Sequence, residues 1–219
     1  MAETALRAVV GLGNPGAEYE HTRHNAGYWF VERLAAACGG SFRRESRFQG
    51  EFAKVSFAGR ELLLLKPATF MNLSGQSAQA LAAFFKLAPE SILVAHDELD
   101  LAPGTVRLKR GGGHGGHNGL RSLHQHLGEP YLRLRIGIGH PGHKDRVLGY
   151  VLGRPTAADE TAIVAGLDAA IDALRIALND SWDKAVQKLH TLPEAAPGSS
   201  SGKAPDRPPS KPASGGQAP

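Results

Sequence analysis

One histidine and one aspartate stand where they could activate a water molecule. His24 closes a polar stretch that follows the apolar segment Leu6 to Val10, and Asp97 follows the apolar segment Ser91 to Ala95. A carboxylate that accepts the N–H of an imidazole fixes its tautomer and raises its basicity, so His24 could take a proton from water near neutral pH. The pair predicts a general base assisted by a carboxylate, with water as the nucleophile.

Carboxamide side chains occur in similar positions. Asn14 follows the first apolar segment, Asn72 follows the apolar run that ends at Lys66, and Asn118 lies in a glycine-rich tract. A carboxamide can donate N–H to a developing oxyanion and accept from a substrate amide, which suits hydrolysis of an acyl bond. A serine nucleophile is not indicated, because Ser74 lacks the G-x-S-x-G pattern and is better explained as the N-cap of the next helix.

Two glycine-rich segments raise other possibilities. Gly11, Gly13 and Gly16 satisfy G-x-G-x-x-G, but Pro15 and the polar residues after it prolong the loop where a dinucleotide fingerprint would start a helix. Residues 111–119 contain six glycines, which permit close approach to a ligand and favour a gate or cradle. The histidines in and after this tract lack the helical H-E-x-x-H spacing, so we expect no metal or cofactor.

Basic residues flank the glycine tract. Arg107 and Lys109 share one face of a predicted strand, and Arg133 and Arg135 share one face of another. Paired strands of this kind would present a cluster for backbone phosphates, whereas the ordinary alternative is a solvated face. The cluster lacks an aromatic stacking platform, so we expect little reading of bases.

Composition limits the class of protein. The 219 residues carry a formal net charge of +4, and the chain is long enough for one α/β domain with a full core. Neither a bilayer-spanning apolar run nor a signal peptide is found, which predicts a cytoplasmic protein without membrane association. Cys38 is the single cysteine and excludes an internal disulfide. Residues 193–219 hold seven of the 14 prolines and no Leu, Ile, Val or aromatic residue, which predicts a disordered tail rich in Pro, Ser, Gly and Ala.

Strand-like and helix-like segments alternate along residues 1–192. The predicted strands are Leu6 to Val10, Phe48 to Phe57, Glu61 to Lys66, Ser91 to Ala95, Thr105 to Lys109 and Leu132 to Ile138. The predicted helices are Gly27 to Cys38, Ser74 to Phe85, a short one ending near Leu127, Ala157 to Leu178 and Trp182 to Leu189. This order predicts a single α/β domain with a central mixed, mostly parallel sheet covered by helices on both faces, a three-layer α/β/α arrangement. In such sheets the site lies beyond the carboxyl ends of the strands.

Five longer motifs follow one another along the chain. They are V-G-L-G-N-P-G-x-x-Y-x-x-T-R-H-N-A-G (Val10 to Gly27), K-P-x-T-F-M-N-L-S-G (Lys66 to Gly75), H-D-E-L-D (His96 to Asp100), G-G-G-H-G-G-H-N-G-L (Gly111 to Leu120) and R-I-G-I-G-H-P (Arg135 to Pro141). Together they resemble bacterial peptidyl-tRNA hydrolase over about residues 5–192, and a set of this length is far more specific than a single short pattern. The resemblance implies a catalytic domain over residues 1–192 that cleaves the ester between a peptide and the tRNA 3′ end. It also implies that no metal is needed and that the enzyme is usually a monomer.

The resemblance assigns roles to residues of this chain. His24 would be the general base, Asp97 the carboxylate that stabilises its basic form, and Asn14 the residue that distinguishes N-blocked peptidyl-tRNA from free aminoacyl-tRNA. The positions implied to bind the tRNA 3′ end or line its cleft are Tyr19, Phe70, Met71, Asn72, His117 and Asn118. Lys109 and Arg135 would hold the tRNA 5′ phosphate, so the expected partner is peptidyl-tRNA, bound by its 3′ CCA end and acceptor stem. A non-catalytic RNA-binding protein and a small-molecule carboxylic ester hydrolase are the alternatives.

Overall fold

A computed structural model describes residues 6–191 of the chain. Within this range the strands are β1 (Ala8–Gly11), β2 (Arg43–Glu45), β3 (Gly50–Phe57), β4 (Arg60–Pro67), β5 (Ile92–Glu98), β6 (Val106–Arg110) and β7 (Leu132–Gly137). The helices are α1 (Ala26–Ala37), α2 (Ser74–Phe85), α3 (Asn118–Leu127), α4 (Val147–Val151), α5 (Ala157–Asn179) and α6 (Trp182–His190). The predicted tail, residues 193–219, lies outside the described residues.

The strands form one sheet of seven in the order β2-β3-β4-β1-β5-β7-β6. The four central strands β4, β1, β5 and β7 run parallel to one another, because β1 pairs with β4 and β5 and β5 pairs with β7 in parallel register. The outer pairs β2 with β3, β3 with β4, and β6 with β7 are antiparallel. The prediction of a mixed sheet with a parallel centre is confirmed.

Helices cover the sheet on both faces. One apolar core joins α1, α5 and α6 to residues such as Val9, Leu64 and Leu93, and a second joins α2 and α3 to residues such as Val10 and Leu65. Neighbouring residues of a strand point to opposite faces, so a strand covered on both sides must be apolar throughout. This requirement explains the unbroken apolar runs that first marked the central strands, and it confirms the three-layer α/β/α arrangement.

Several elements differ from the sequence prediction. The strand β2 and the short helix α4 were not predicted, since each has five residues or fewer and carries no clear periodicity. The strand β3 begins at Gly50, two residues later than predicted, because Ser46–Phe48 forms a 3₁₀ turn that ends at Gln49 in the left-handed region, with φ 48°.

The prediction that Ser74 caps α2 is wrong. Ser74 is already the first residue of the helix, and Leu73 occupies the N-cap position without a side-chain hydrogen bond. The Ser74 hydroxyl is buried and has no hydrogen-bond partner among residues 6–191. Ser122 of α3 takes over the capping role, since its hydroxyl accepts the N–H of Gly75 at 3.0 Å. Packing between two helices therefore replaces the local cap that the sequence indicated.

The carboxyl ends of the central strands meet at one edge of the sheet, and α1 is pressed against that edge. Gly27 makes this approach possible, because a Cβ there would lie 2.3 Å from the carbonyl oxygen of Ala95 and 2.4 Å from the backbone nitrogen of Leu12. A side chain at position 27 would force α1 away from β1 and β5. None of the helices in the described part of the chain is long and apolar enough to cross a membrane.

Candidate active site

The polar centre at this edge consists of two imidazoles that share one carboxylate. The Nδ1 atom of His24 lies 3.0 Å from both carboxylate oxygens of Asp97. The Nε2 atom of His117 lies 2.9 Å from the Oδ1 atom of Asp97. The side chain of Asp97 is 3% exposed, whereas those of His24 and His117 are 12% and 10% exposed. The carboxylate therefore sits behind the two rings, which meet the surface.

The hydrogen bonds fix which nitrogen of each ring carries its proton. The Nδ1 atom of His117 accepts the backbone N–H of Gly119 at 3.1 Å and that of Leu120 at 3.4 Å, so the proton of this ring is on Nε2. This Nε2–H donates to Asp97. An ionised carboxylate only accepts, so His24 also donates to it, through Nδ1–H. The Nε2 atom of His24 is left with a free lone pair, and no residue in the described part of the chain bonds to it.

The shared carboxylate changes the protonation equilibria of the site. Burial lowers the pKa of His24, but the charge of Asp97 and the hydrogen bond to it raise that pKa more, and the balance lies above the ordinary value. Burial alone would raise the pKa of Asp97, but His24 and His117 together hold it well below its usual range. Asp97 is therefore ionised, and His24 is a stronger base than a free imidazole.

His96 lies directly behind this centre and was not predicted as a site residue. Its ring is 1% exposed, its Nδ1–H donates to the backbone oxygen of Asp97 at 2.8 Å, and its centroid lies 5.3 Å from that of His117. Burial, followed by the proximity of His117, lowers the pKa of His96 to about 3. A neutral ring at this position supports the strand end that carries Asp97 without adding a second positive charge.

Short local elements hold His24 in place. His24 lies in the 3₁₀ turn Arg23–Asn25, which leads directly into α1. The guanidinium of Arg23 is buried and donates to the backbone oxygens of Tyr150 at 3.1 Å and Gly153 at 3.3 Å. The turn is thus tied to α4, far away in sequence, and His24 is held on a fixed backbone instead of a free loop.

Asn14 is held equally firmly beside this turn. Asn25 accepts the backbone N–H of Asn14 at 2.9 Å and donates its own Nδ2–H to the backbone oxygen of Asn14 at 3.0 Å. The Oδ1 atom of Asn14 accepts the N–H of Met71 at 2.8 Å. The Nδ2 group of Asn14 consequently keeps its two N–H donors, for which the described residues offer no acceptor. Asn25 itself was not predicted as a site residue, although it directly follows His24.

The same three side chains, His24, Asp97 and His117, are also the ones that could hold a metal ion. Their ligand atoms lie within 4.8 Å of one another. In the hydrogen-bonded arrangement described above, protons on His24 and His117 occupy the directions toward Asp97, so an ion would have to replace both protons. The histidines beyond position 120, considered as ligands from the sequence, do not join this group.

The sequence of this chain is similar to the sequences of known proteins. A protein-family model described as peptidyl-tRNA hydrolase matches residues 8–197 of this chain. The chain belongs to the peptidyl-tRNA hydrolase family. Similar relatives include the peptidyl-tRNA hydrolase of Xanthomonas axonopodis pv. citri (strain 306), which is 57% identical over 189 residues, covering 86% of this chain and 98% of the relative. The peptidyl-tRNA hydrolase of Halorhodospira halophila (strain DSM 244 / SL1) is 53% identical over 189 residues, covering 86% and 97%.

A solved structure from the family has the same fold. The crystal structure of peptidyl-tRNA hydrolase from Acinetobacter baumannii at 1.00 Å resolution matches with a TM-score of 0.85 at 44% sequence identity. The match covers 89% of this chain and 100% of that one. The resemblance read from the five sequence motifs is therefore confirmed at the level of family and fold.

Most of the other residues that the resemblance expects to bind the tRNA 3′ end are exposed or half-buried. Phe70 is 58% exposed, and the side chains of Asn72 and Asn118 are also exposed. Tyr19 is half-buried in the loop after β1. Met71 differs from them, since it is 4% exposed and packs in the core beneath the first turn of α3. Its backbone N–H, and not its side chain, reaches the site.

The four basic residues of β6 and β7 share one face of the sheet, as predicted. Arg107 pairs with Arg135 and Lys109 pairs with Arg133 across the antiparallel ladder. Lys109 is the exposed one of these four residues. Arg133 is 3% exposed and donates to the backbone oxygen of Gly113 at 2.7 Å, so it orders the glycine tract.

The remaining two arginines of this face are already engaged. The guanidinium of Arg135 donates to the carboxylate of Glu98 at 2.8 Å, and that of Arg107 donates to the backbone oxygen of Leu189 at 3.0 Å. Glu98 was not predicted as a site residue. The register of β5 against β7 places Glu98 two rows from Arg135, which sequence spacing does not reveal.

Proposed function

We propose that this chain hydrolyses peptidyl-tRNA with His24 as the general base and Asp97 as its partner. The reaction class follows from the family: the chain is an ester hydrolase that acts on peptidyl-tRNA. The observation that carries the residue assignment is the carboxylate of Asp97, which receives N–H from both rings and leaves the Nε2 lone pair of His24 free. The Nε2 atom of His96 also lacks a partner among the described residues but is buried, whereas the side chain of His24 is 12% exposed and can meet water and substrate.

The reaction begins when the Nε2 atom of His24 takes a proton from water as the water oxygen attacks the ester carbonyl. The carbonyl carbon becomes tetrahedral and its oxygen becomes negatively charged, while Asp97 stabilises the imidazolium. Collapse of the intermediate breaks the bond to the ribose oxygen of the tRNA 3′ end. The imidazolium returns its proton to that oxygen, which leaves a free peptide acid, a tRNA hydroxyl and a neutral His24.

The carboxamides serve two different steps. The Nδ2 group of Asn14 is fixed and unpaired, so it donates to the carbonyl of an N-blocked aminoacyl group and finds no such acceptor on a free α-ammonium. The exposed amides of Asn72 and Asn118 donate to the oxyanion. This division supports the discrimination between peptidyl-tRNA and aminoacyl-tRNA expected from the sequence.

The RNA is held by its backbone on the basic face of β6 and β7. Lys109 is exposed and Arg135 is half-buried against Glu98, so the 5′ phosphate of the acceptor stem meets one mobile and one oriented cation. Binding of this kind depends on salt and reads little sequence. The monomeric state and the cytoplasmic location expected from the sequence belong to the same proposal.

The test compares release of label from N-acetyl-Phe-tRNA and from Phe-tRNA in the presence of a chelator. We expect cleavage of the blocked substrate only, and we expect His24→Ala to lower kcat by about 1,000-fold or more while tRNA binding is retained. His21→Ala is the matched control, because His21 is an exposed histidine three residues away.

Each alternative has its own outcome. Binding of tRNA without cleavage would indicate a non-catalytic RNA-binding protein, and equal cleavage of a simple activated ester with or without tRNA would indicate a small-molecule esterase. Loss of cleavage in chelator would require a metal at the centre. Near-normal kcat in His24→Ala would remove His24 from the mechanism.

A further inference from the structure

A cavity of about 350 Å³ opens beside the proposed active site, on the far side of Asn14. Its walls come from the loop after β1, from α1, and from the ends of β3 and β4. Apolar surface is supplied by Pro15, Pro67 and the ring of Tyr28, whose hydroxyl donates to the backbone oxygen of Pro67. None of the roles expected from the sequence uses this cavity, apart from that of Asn14.

The position of the cavity along the sheet indicates which part of the substrate would reach it. From β3 onward the strand order is β3-β4-β1-β5-β7-β6. The cavity lies at β3 and β4, Asn14 follows β1, Asp97 is on β5, and the basic face is on β7 and β6. If the RNA is held at β6 and β7 and the ester lies between Asp97 and Asn14, the acyl chain must continue past Asn14. The next space on that line is the cavity.

Asn14 connects the two spaces. The residue as a whole is 7% exposed, it lines the cavity, and its Nδ2 group has no hydrogen-bond acceptor among residues 6–191. This Nδ2 group is not fully buried, so water can reach it, and a ligand carbonyl in the cavity would take the place of that water as its acceptor. A peptide that runs from the ester into the cavity would bring a backbone carbonyl to this group.

The charges of the cavity favour some occupants over others. Three carboxylates, those of Glu20, Glu32 and Glu51, line it together with the ammonium of Lys66. Lys66 donates to Glu32 at 2.7 Å and lies 2.5 Å from the carboxylate of Glu51, so its charge is already compensated. The formal charge of the lining is −2, and the carboxylate of Glu20 forms no ion pair within 4.0 Å among the described residues.

Lys66 is also held rigidly against aromatic rings. Its ammonium lies 5.4 Å from the ring centroid of Tyr28 and 5.0 Å from that of Phe42, and its side chain is 14% exposed. A cation fixed by two carboxylates and two rings cannot turn to meet an acidic ligand without breaking these contacts.

We propose that this cavity is a subsite for the residue that precedes the esterified one in the nascent peptide, and that it favours neutral and cationic side chains over anionic ones. The inference rests on the proposed function, since it requires the acyl chain of peptidyl-tRNA to lie at Asn14. Apolar walls accept the hydrocarbon part of a side chain, and the carboxylates attract a terminal cation or repel a terminal anion.

The test uses three substrates made with the same tRNA. Each carries one N-acetylated dipeptide, in which Lys, Gln or Glu precedes Phe. We expect kcat/KM to decrease in the order Lys, Gln, Glu, with about 10-fold between the first and the last. Glu20→Gln should reduce the ratio of Lys to Glu about threefold, and Glu20→Lys should bring it to one or below. Glu61→Gln at the opposite end of β4 is the control and should leave the ratio unchanged.

N-acetyl-Phe-tRNA, which has no preceding residue, separates this inference from the proposed function. If it is cleaved while the three dipeptides react equally, the subsite is refuted and the proposed function stands. A Lys preference that survives both Glu20 variants would refute the assignment to this cavity. If N-acetyl-Phe-tRNA itself is not cleaved, the proposed function falls and the subsite falls with it.

Discussion

The substitution Asp97→Asn tests the shared carboxylate most directly. Asp97 accepts N–H from His24 at 3.0 Å and from His117 at 2.9 Å, and it is buried. An asparagine has one oxygen for these two donors, and its NH₂ group needs an acceptor in turn. If the amide oxygen takes the Oδ1 position, which lies within hydrogen-bond distance of both rings, the NH₂ group takes the Oδ2 position and faces the Nδ1–H of His24 at 3.0 Å, which favours a change of tautomer in His24. If His24 changes, its Nε2 atom carries the proton and no longer accepts one from water.

The size of the effect follows from two losses. In the wrong tautomer the Nε2 atom of His24 cannot act as a general base. The imidazolium that forms during the reaction also loses its charged partner. We expect kcat/KM to decrease about 100- to 10,000-fold, which corresponds to about 3 to 5 kcal/mol of barrier. The pKa of His24 should also fall below 6.5, because burial remains while the carboxylate that outweighs it is gone.

The assay is the pH dependence of kcat/KM for N-acetyl-Phe-tRNA from about pH 5 to about pH 9. A general base must be neutral, so the wild-type rate should rise with pH through a midpoint above 6.5, the ordinary pKa of histidine. In Asp97→Asn the residual rate should rise through a midpoint below 6.5. Asp100→Asn, at an exposed position on the same segment, is the matched control.

Two results would refute this reasoning. One is an Asp97→Asn rate within about tenfold of the wild-type rate, which would show that the tautomer of His24 does not depend on Asp97. The other is an acid midpoint that stays above 6.5 in the variant, which would assign the raised pKa to another group. The Tm of both variants should be measured beside the rates, because loss of a buried charge also affects folding.

Three further predictions concern other parts of the molecule. Asn14→Asp keeps an acceptor for the N–H of residue 71 but replaces the Nδ2 donors, so the ratio of kcat/KM for N-acetyl-Phe-tRNA to that for Phe-tRNA should decrease at least about tenfold; an unchanged ratio contradicts the role. Lys109→Ala should reduce the slope of log Kd for tRNA against log salt by about one, whereas Lys54→Ala at the other side of the sheet should not. Gly27→Ala should destabilise the fold by about 3 kcal/mol or more in denaturant unfolding, whereas Gly149→Ala, whose Cβ meets no atom within 4 Å, should be neutral or slightly stabilising. Similar unfolding midpoints for the two glycine variants would contradict the close approach of α1.

The sequence was sufficient to locate the strand ends and the chemistry at them. Apolar runs mark strands buried on both faces, and parallel strands bring their carboxyl ends to one edge, so His24, Asp97 and Asn14 could be grouped without coordinates. The predicted strands on either side of residues 58–60 do pair as β3 and β4, but Phe57 lies opposite Arg60, so the turn contains only Ala58 and Gly59. The predicted strand ends would have placed Glu51 opposite Pro67 instead of Lys66, a register wrong by one residue. The pair of Glu51 with Lys66 that lines the cavity therefore did not follow from the predicted strand ends.

Features that depend on packing between distant elements could not be predicted. The glycine tract has no periodicity, so although the resemblance placed His117 in the cleft, its hydrogen bond to Asp97 could not be predicted. The pair of Glu98 with Arg135 depends on the register of two strands that lie 37 residues apart in the chain. The cap of α2 was predicted wrongly for the same reason, since Ser122 of another helix provides the acceptor.

The ring of His117 has a consequence for how this enzyme loses activity. One of its nitrogens caps the first turn of α3, and the other orients the carboxylate that serves His24. Helix ends fray more readily than cores unfold. Each fraying event at α3 releases His117 and leaves Asp97 with one partner. Heating should therefore switch catalysis off locally, below the temperature at which the sheet melts, and cooling should restore it without refolding.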